Sequence, residues 1–145
     1  MKLIVFIGFC IFILNSCAFD DTQKYSEINS EYISRLSTVD AILIIPGAGC
    51  EGCIGSAEQF SKNYIDSLNF GVIFTQVNSL KNLRFSLGTD FLLNERVIID
   101  TLNLIDLEEK YYPTIYYPNS NEIIAISPKE PQALPNLKIR LGKAY

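Results

Sequence analysis

The chain of 145 residues contains no histidine and no tryptophan, and its single methionine is Met1. Without histidine, neither a Ser-His-Asp nor a Cys-His nucleophile system can be assembled, because each needs an imidazole to take the proton from the attacking group. The same lack removes the usual nitrogen ligand of zinc, and with Met1 alone there is no set of thioethers for copper. Basic residues are sparse: twelve Lys plus Arg stand against sixteen Asp plus Glu, a net charge of −4. They form no run, which argues against nucleic acid, whose phosphates are held by clustered Lys and Arg. Internal repeats and low-complexity tracts are also missing. The one long apolar run, Leu3 to Leu14, falls short of the about 20 residues that span a bilayer as a helix.

That run is the first positive feature. Met1-Lys2 precedes it and a strongly polar stretch from Asp20 follows, the order of a secretory signal peptide. It ends in Leu14-Asn15-Ser16-Cys17: an aliphatic residue, a tolerant position, a small residue and then cysteine. This resembles the lipobox of bacterial lipoproteins. The resemblance implies cleavage after Ser16 and a diacylglyceryl group on the Cys17 thiol. The mature protein would then be held on a bilayer of the bacterial cell envelope, periplasmic or surface-exposed, by acyl chains contributing about 0.8 kcal/mol per buried methylene. Asp20 and Asp21 resemble the acidic tether of some surface-directed lipoproteins. The expected organisation is a signal peptide over 1–16, a lipidated tether over 17–24 and one monomeric domain over 25–145. Loss of Lys2 takes the charge from −4 to −5. An ordinary signal peptide with a chance cysteine is the alternative.

Within the domain, Tyr25, Ile28, Tyr32, Ile33 and Leu36 recur at the 3.6-residue period of a first helix. Ala41-Ile42-Leu43-Ile44-Ile45, stopped by Pro46-Gly47, reads as a central strand buried on both faces. From Cys50 the period becomes helical through Leu68. Gly71 to Val77 reads as a second strand, and Asn78 to Leu87 as a short helix stopped by Gly88. Residues 89–112 admit several readings: Val97-Ile98-Ile99 as a strand, Leu102 to Lys110 as a helix or an irregular connection. Thr114 to Tyr117 and Glu122 to Ile126 flank Pro118-Asn119-Ser120-Asn121, the pattern of a β-hairpin. Pro128, Pro131 and Pro135 limit the final helix to a short one beginning near Pro135.

Four cysteines are present; Cys10 belongs to the signal segment and Cys17 to the lipobox, which leaves Cys50 and Cys53 for the domain. In Cys50-Glu51-Gly52-Cys53, at the start of a helix, the two sulfurs share a face and can form a disulfide reversibly. Unpaired amide protons and the positive end of the helix dipole favour thiolate at Cys50, the candidate attacking sulfur. Cys53, one turn inside, is the candidate resolving sulfur. Such a cycle needs no cofactor. Structural zinc usually takes four Cys or His ligands, and with no histidine and no cysteine after Cys53 no metal is expected.

A buried strand, a loop opening into Cys-x-x-Cys on a helix, and Tyr112-Pro113-Thr114 before a hairpin together resemble the thioredoxin superfamily over roughly residues 38–127, with the TlpA-like branch the nearest comparison. The resemblance implies an α/β thioredoxin-like fold with a central mixed sheet flanked by helices, a C-terminal β-hairpin and a short or degenerate final helix. It also implies that Pro113 is cis and faces the cysteine pair, and that Tyr112 and Pro113 contact substrate peptide. An ordinary strand-start proline is the alternative for Pro113. Three residues depart from the family pattern. Gly49 stands in place of an aromatic residue, making Gly47-Ala48-Gly49 an open, flexible approach. Ile44 replaces a buried acid, leaving no evident proton acceptor for the resolving thiol. Glu51 sets a negative charge beside the nucleophile, which favours a reducing pair.

The expected function is thiol–disulfide reduction or exchange on exported proteins, with electrons from a membrane partner, since cytosolic reductants do not reach this compartment. Rival readings are a non-catalytic thioredoxin-like binding lipoprotein with a structural disulfide, and a structural lipoprotein without a functional groove. Glu108-Glu109, Asp20-Asp21 and Glu27 with Glu31 read as solvated faces. Tyr111, Tyr112, Tyr116 and Tyr117 read first as sheet packing and second as peptide contacts.

Overall fold

The computed structural model describes residues 30–107 and 110–143. The expected signal peptide (1–16), Cys10, Cys17, the tether (17–24), and Tyr25 and Ile28 of the first helix lie outside the described residues, as do Glu108 and Glu109. In chain order the elements are α1 (Ser30–Arg35), β1 (Ala41–Pro46), α2 (Glu51–Tyr64), β2 (Phe70–Thr75), α3 (Leu80–Leu87), α4 (Thr89–Leu92), β3 (Val97–Ile99), β4 (Thr114–Tyr117), β5 (Glu122–Ala125) and α5 (Ala133–Gly142).

The architecture follows from β1. Its apolar, largely β-branched run has no polar face, so it must be covered on both sides. All six residues are buried. Parallel pairing with β2 runs from Ala41 opposite Phe70 to Pro46 opposite Thr75. On its other side β1 pairs antiparallel with β4, Ile42 facing Tyr116 and Ile44 facing Thr114. β3 adds to β2 in parallel and β5 to β4 as the far arm of the hairpin. The result is a five-stranded mixed sheet in the order β3-β2-β1-β4-β5, with β1 at its centre.

Strand alternation then sorts side chains into two cores. Ala41, Leu43 and Ile45 join Phe70, Val72, Phe74, Ile115 and Tyr117 beneath α2 and α5, which supply Ala57, Phe60, Leu137 and Leu141. Ile42 and Ile44 face the opposite way, with Ile73, Ile98 and Tyr116, beneath Tyr32 of α1 and Leu36 just after it. The fold is therefore α/β, an open mixed sheet with helices on both faces. No helix among the described residues is long and apolar enough to cross a membrane.

Several boundaries differ from the sequence reading: β2 ends at Thr75 rather than Val77, and α3 begins at Leu80 rather than Asn78. The helix after Cys50 ends at Tyr64 rather than Leu68. α5 begins at Ala133, two residues before Pro135; the proline sits in the first turn, where an amide has no intrahelical partner to lose. Of the two readings of the segment after Leu102, the irregular connection is found over Leu102 to Leu107, and Asp100 explains why.

Asp100 is wholly buried at the end of β3. Its Oδ1 accepts hydrogen bonds from the Tyr32 hydroxyl (3.1 Å) and the Leu104 amide (3.0 Å), and its Oδ2 from the Thr75 hydroxyl (3.0 Å) and the Ile105 amide (3.0 Å). One carboxylate thus joins α1, the end of β2 and the loop after β3. By capturing the loop amides it fixes an irregular course for residues that would otherwise bond one another. Burial alone would raise the Asp100 pKa, but the Leu104 and Ile105 amides, with the Thr75 and Tyr32 hydroxyls, outweigh it and hold the carboxyl below its ordinary value. The Tyr32 phenol is shifted the other way, upward, by burial and by the adjacent carboxylate.

Asp100→Asn replaces one acceptor oxygen by a donor that must face another donor. It should destabilise the protein by about 2–3 kcal/mol at neutral pH in urea denaturation. Because the folded pKa of Asp100 is depressed, its contribution is complete above the ordinary aspartate range and is lost as pH falls through the folded value. The gap between the two proteins should therefore narrow below about pH 4.

Candidate active site

The end of β1 leads directly to the cysteines. The Gly47 amide donates to the Thr75 carbonyl at 2.8 Å, carrying the parallel ladder one residue past the strand. A side chain at Gly47 would overlap the Gln76 carbonyl. Gly49 has φ +142°, and a Cβ there would overlap the carbonyl oxygen of Tyr111. The next amide, that of Cys50, donates to this same carbonyl at 2.9 Å. The Tyr111 backbone thus fills the space that a side chain at position 49 would need. Residues 47–49 are all exposed, as an open approach implies, while the backbones of Gly47 and Gly49 pack directly on Gln76 and Tyr111.

Cys50 is the N-cap of α2, with extended backbone (φ −69°, ψ 95°) and a side chain that caps no amide. The Ile54 amide closes the first turn on the Cys50 carbonyl at 2.9 Å. One turn therefore separates the two cysteines, which are joined as a disulfide with their Cα atoms 5.2 Å apart, inside the normal range. Both are half-buried, and Cys53 packs against the core under α2. Glu51 is exposed in the same turn.

A groove of about 390 Å³ opens beside the disulfide, with Ile126, Pro128, Pro131 and Leu134 along it. Its wall arises where β5 ends. The Glu130 amide turns back onto the Ser127 carbonyl (2.9 Å) and the Ala133 amide onto the Glu130 carbonyl (3.1 Å), leading into α5. Proline rings without an N–H give this wall a carbon surface. In the sequence these prolines bounded a helix and carried no sign of a site; only the return of the chain past Cys53 reveals it.

The two residues implied as peptide contacts follow Tyr111 directly. Pro113 is buried and its peptide bond is trans, where the resemblance implies cis. Its carbonyl accepts from the Ile126 amide at 2.7 Å, so it supports the groove wall from behind. Tyr112 is half-buried, and neither residue is among those lining the groove. What this segment brings to the cysteines is the Tyr111 main chain, while the Tyr111 side chain is 71% exposed. Tyr116 and Tyr117 are packed in opposite cores.

Ile44 belongs to the core on the face away from α2. The inward-leaning carboxylate of α2 is Glu58, four residues after Ile54. Both line a second pocket, of about 360 Å³, with Phe74 and Leu83. Burial raises the Glu58 pKa, and Lys62 one turn on partly opposes the shift. Among the described residues no group of three or more Cys, Asp or Glu gathers to hold a metal ion.

The glycines provide a paired test. Gly49→Ala should destabilise by about 2–3 kcal/mol, from its positive φ and the displaced Tyr111 carbonyl. Gly55→Ala, inside α2 with open space around the new Cβ, should stabilise by about 0.5–1 kcal/mol. Denaturant midpoints measure both.

Comparisons of the chain with protein-family models, with curated proteins and with solved structures found no match.

Proposed function

We propose that this chain is a membrane-tethered thiol–disulfide oxidoreductase with a thioredoxin-like fold, reducing or exchanging disulfides in exported proteins. The observation that carries the reading is the Cys50–Cys53 disulfide at the N-terminus of α2, beside an open apolar groove. A central buried strand feeding that helix, a later β-hairpin and a closing helix support the finer fold assignment. The tether rests on the lipobox at Leu14 to Cys17.

In the reduced protein, Cys50 would be the attacking thiolate, its charge favoured by the first amides of α2. Attack on a substrate disulfide forms a mixed disulfide through Cys50 and releases one substrate thiolate. Cys53 then gives up its proton and attacks the Cys50 sulfur, closing the internal disulfide and releasing the second substrate thiolate. Two electrons pass to the substrate, and a membrane dithiol partner must return them. Glu51 disfavours the neighbouring thiolate, which makes the pair more reducing.

With Cys53→Ser the second step is blocked, so mixed disulfides through Cys50 should accumulate in cells and disappear with Cys50→Ser. A structural disulfide predicts no adducts above that control, and a potential far below about −300 mV without turnover of a disulfide substrate. Glu51→Gln should raise the reduction potential by about 10–20 mV, as expected for removing a weak, solvent-screened charge interaction. Equilibration with glutathione measures the shift.

A further inference from the structure

Because β1, β2 and β3 are parallel, their C-terminal ends share one edge of the sheet. Cys50 follows β1 at this edge, where residues 100–107 leave the end of β3 and residues 110–113 lead into the start of β4. α1 runs back across the sheet: Tyr32 reaches Asp100 at this edge, whereas Leu36 lies over Gly71 near the start of β2. The described chain therefore begins, at Ser30, on the edge that carries the disulfide. The same edge exposes apolar side chains, Leu102 at 73%, Leu104 at 41% and Tyr111 at 71%. Leu102 and Leu104 are held outward by a loop whose amides are fixed on Asp100.

We propose that this edge is a bilayer-docking surface, with Leu102, Leu104 and Tyr111 entering the boundary between headgroups and acyl chains. The occupant follows from the route of the chain, and the inference rests on lipidation of Cys17. Thirteen peptide units join Cys17 to Ser30, at most about 45 Å even when fully extended. The domain attaches to its tether at this edge, so approach to the bilayer by this edge needs the least length of chain. Leucine and tyrosine are side chains suited to that boundary, one apolar throughout and the other apolar with a polar tip. Tethering makes the contact intramolecular, so a few side chains suffice to populate it. Charge does not direct the edge to anionic lipid, since Lys110 pairs with Asp106 at 2.6 Å and Glu51 adds a negative charge. A zwitterionic surface is the matching one. Docking would hold the disulfide at the membrane plane and limit its partners to thiols and disulfides presented there.

The absence of tryptophan allows a direct test. The full lipidated chain carrying Leu102→Trp, Tyr111→Trp or, at the opposite edge, Ser67→Trp is reconstituted into phosphatidylcholine vesicles with brominated acyl chains. Quenching at 102 and 111 should exceed that at 67 by about twofold or more, with a blue-shifted emission. In the Tyr111→Trp chain it should fall to the Ser67 level when Leu102→Asp and Leu104→Asp are added. A chain that floats with the vesicles but is quenched equally at all three positions overturns the docking surface and leaves the anchor standing. A chain that does not float overturns the anchor and the docking inference with it. Neither result touches the redox reading, which the Cys53→Ser trap decides independently.

Discussion

Burial of β1 on both faces is the constraint on which the rest of this structure depends. A six-residue strand with no polar face can be accommodated only at the centre of a sheet covered by helices on both sides. Its two neighbours differ in direction. β2 returns in parallel through α2, whereas β4 arrives antiparallel from the later part of the chain. The strand also ends four residues before Cys50, so the register that buries Ile42 to Ile45 positions the disulfide at the sheet edge. Packing and chemistry meet in one short stretch, residues 41–50.

Around that edge, backbone contacts do most of the positioning. The Tyr111 carbonyl holds the Cys50 amide, the Thr75 carbonyl holds the Gly47 amide, and the Pro113 carbonyl holds the Ile126 amide behind the groove. Glycines at 47 and 49 are what allow such close approach. Asp100 organises the loop of the same edge through a side chain and connects it to α1. A buried carboxylate with four donors is costly to disturb, because removing it orphans several groups at once. Its contribution here is to hold a loop that has no secondary structure of its own.

Some of this was readable in the residues. The apolar run at 41–45 and the turn residues at 118–121 specify a buried strand and a hairpin, because strand alternation and turn chemistry are local properties. The Cys-x-x-Cys pair at a helix start was equally legible, since its geometry depends on a single turn. The close approach of Gly49 to the Tyr111 backbone was not legible for the opposite reason: the two are sixty-two positions apart. The implied cis form of Pro113 was carried by resemblance alone; the bond is trans, and the Pro113 carbonyl holds the Ile126 amide. Asp100 gave no signal at all, being one acid among sixteen until Tyr32, Thr75 and two loop amides converge on it.

By itself the sequence determined the central strand, the cysteine pair at its exit, and the absence of any imidazole chemistry, because each depends on residue identity and spacing within about a turn or a strand. Only the tertiary structure decided which segments surround the disulfide: the Tyr111 backbone, the proline wall after β5, and an apolar rim held outward on Asp100. Those contacts join residues brought together by sheet order and crossover connections, and no local pattern encodes them.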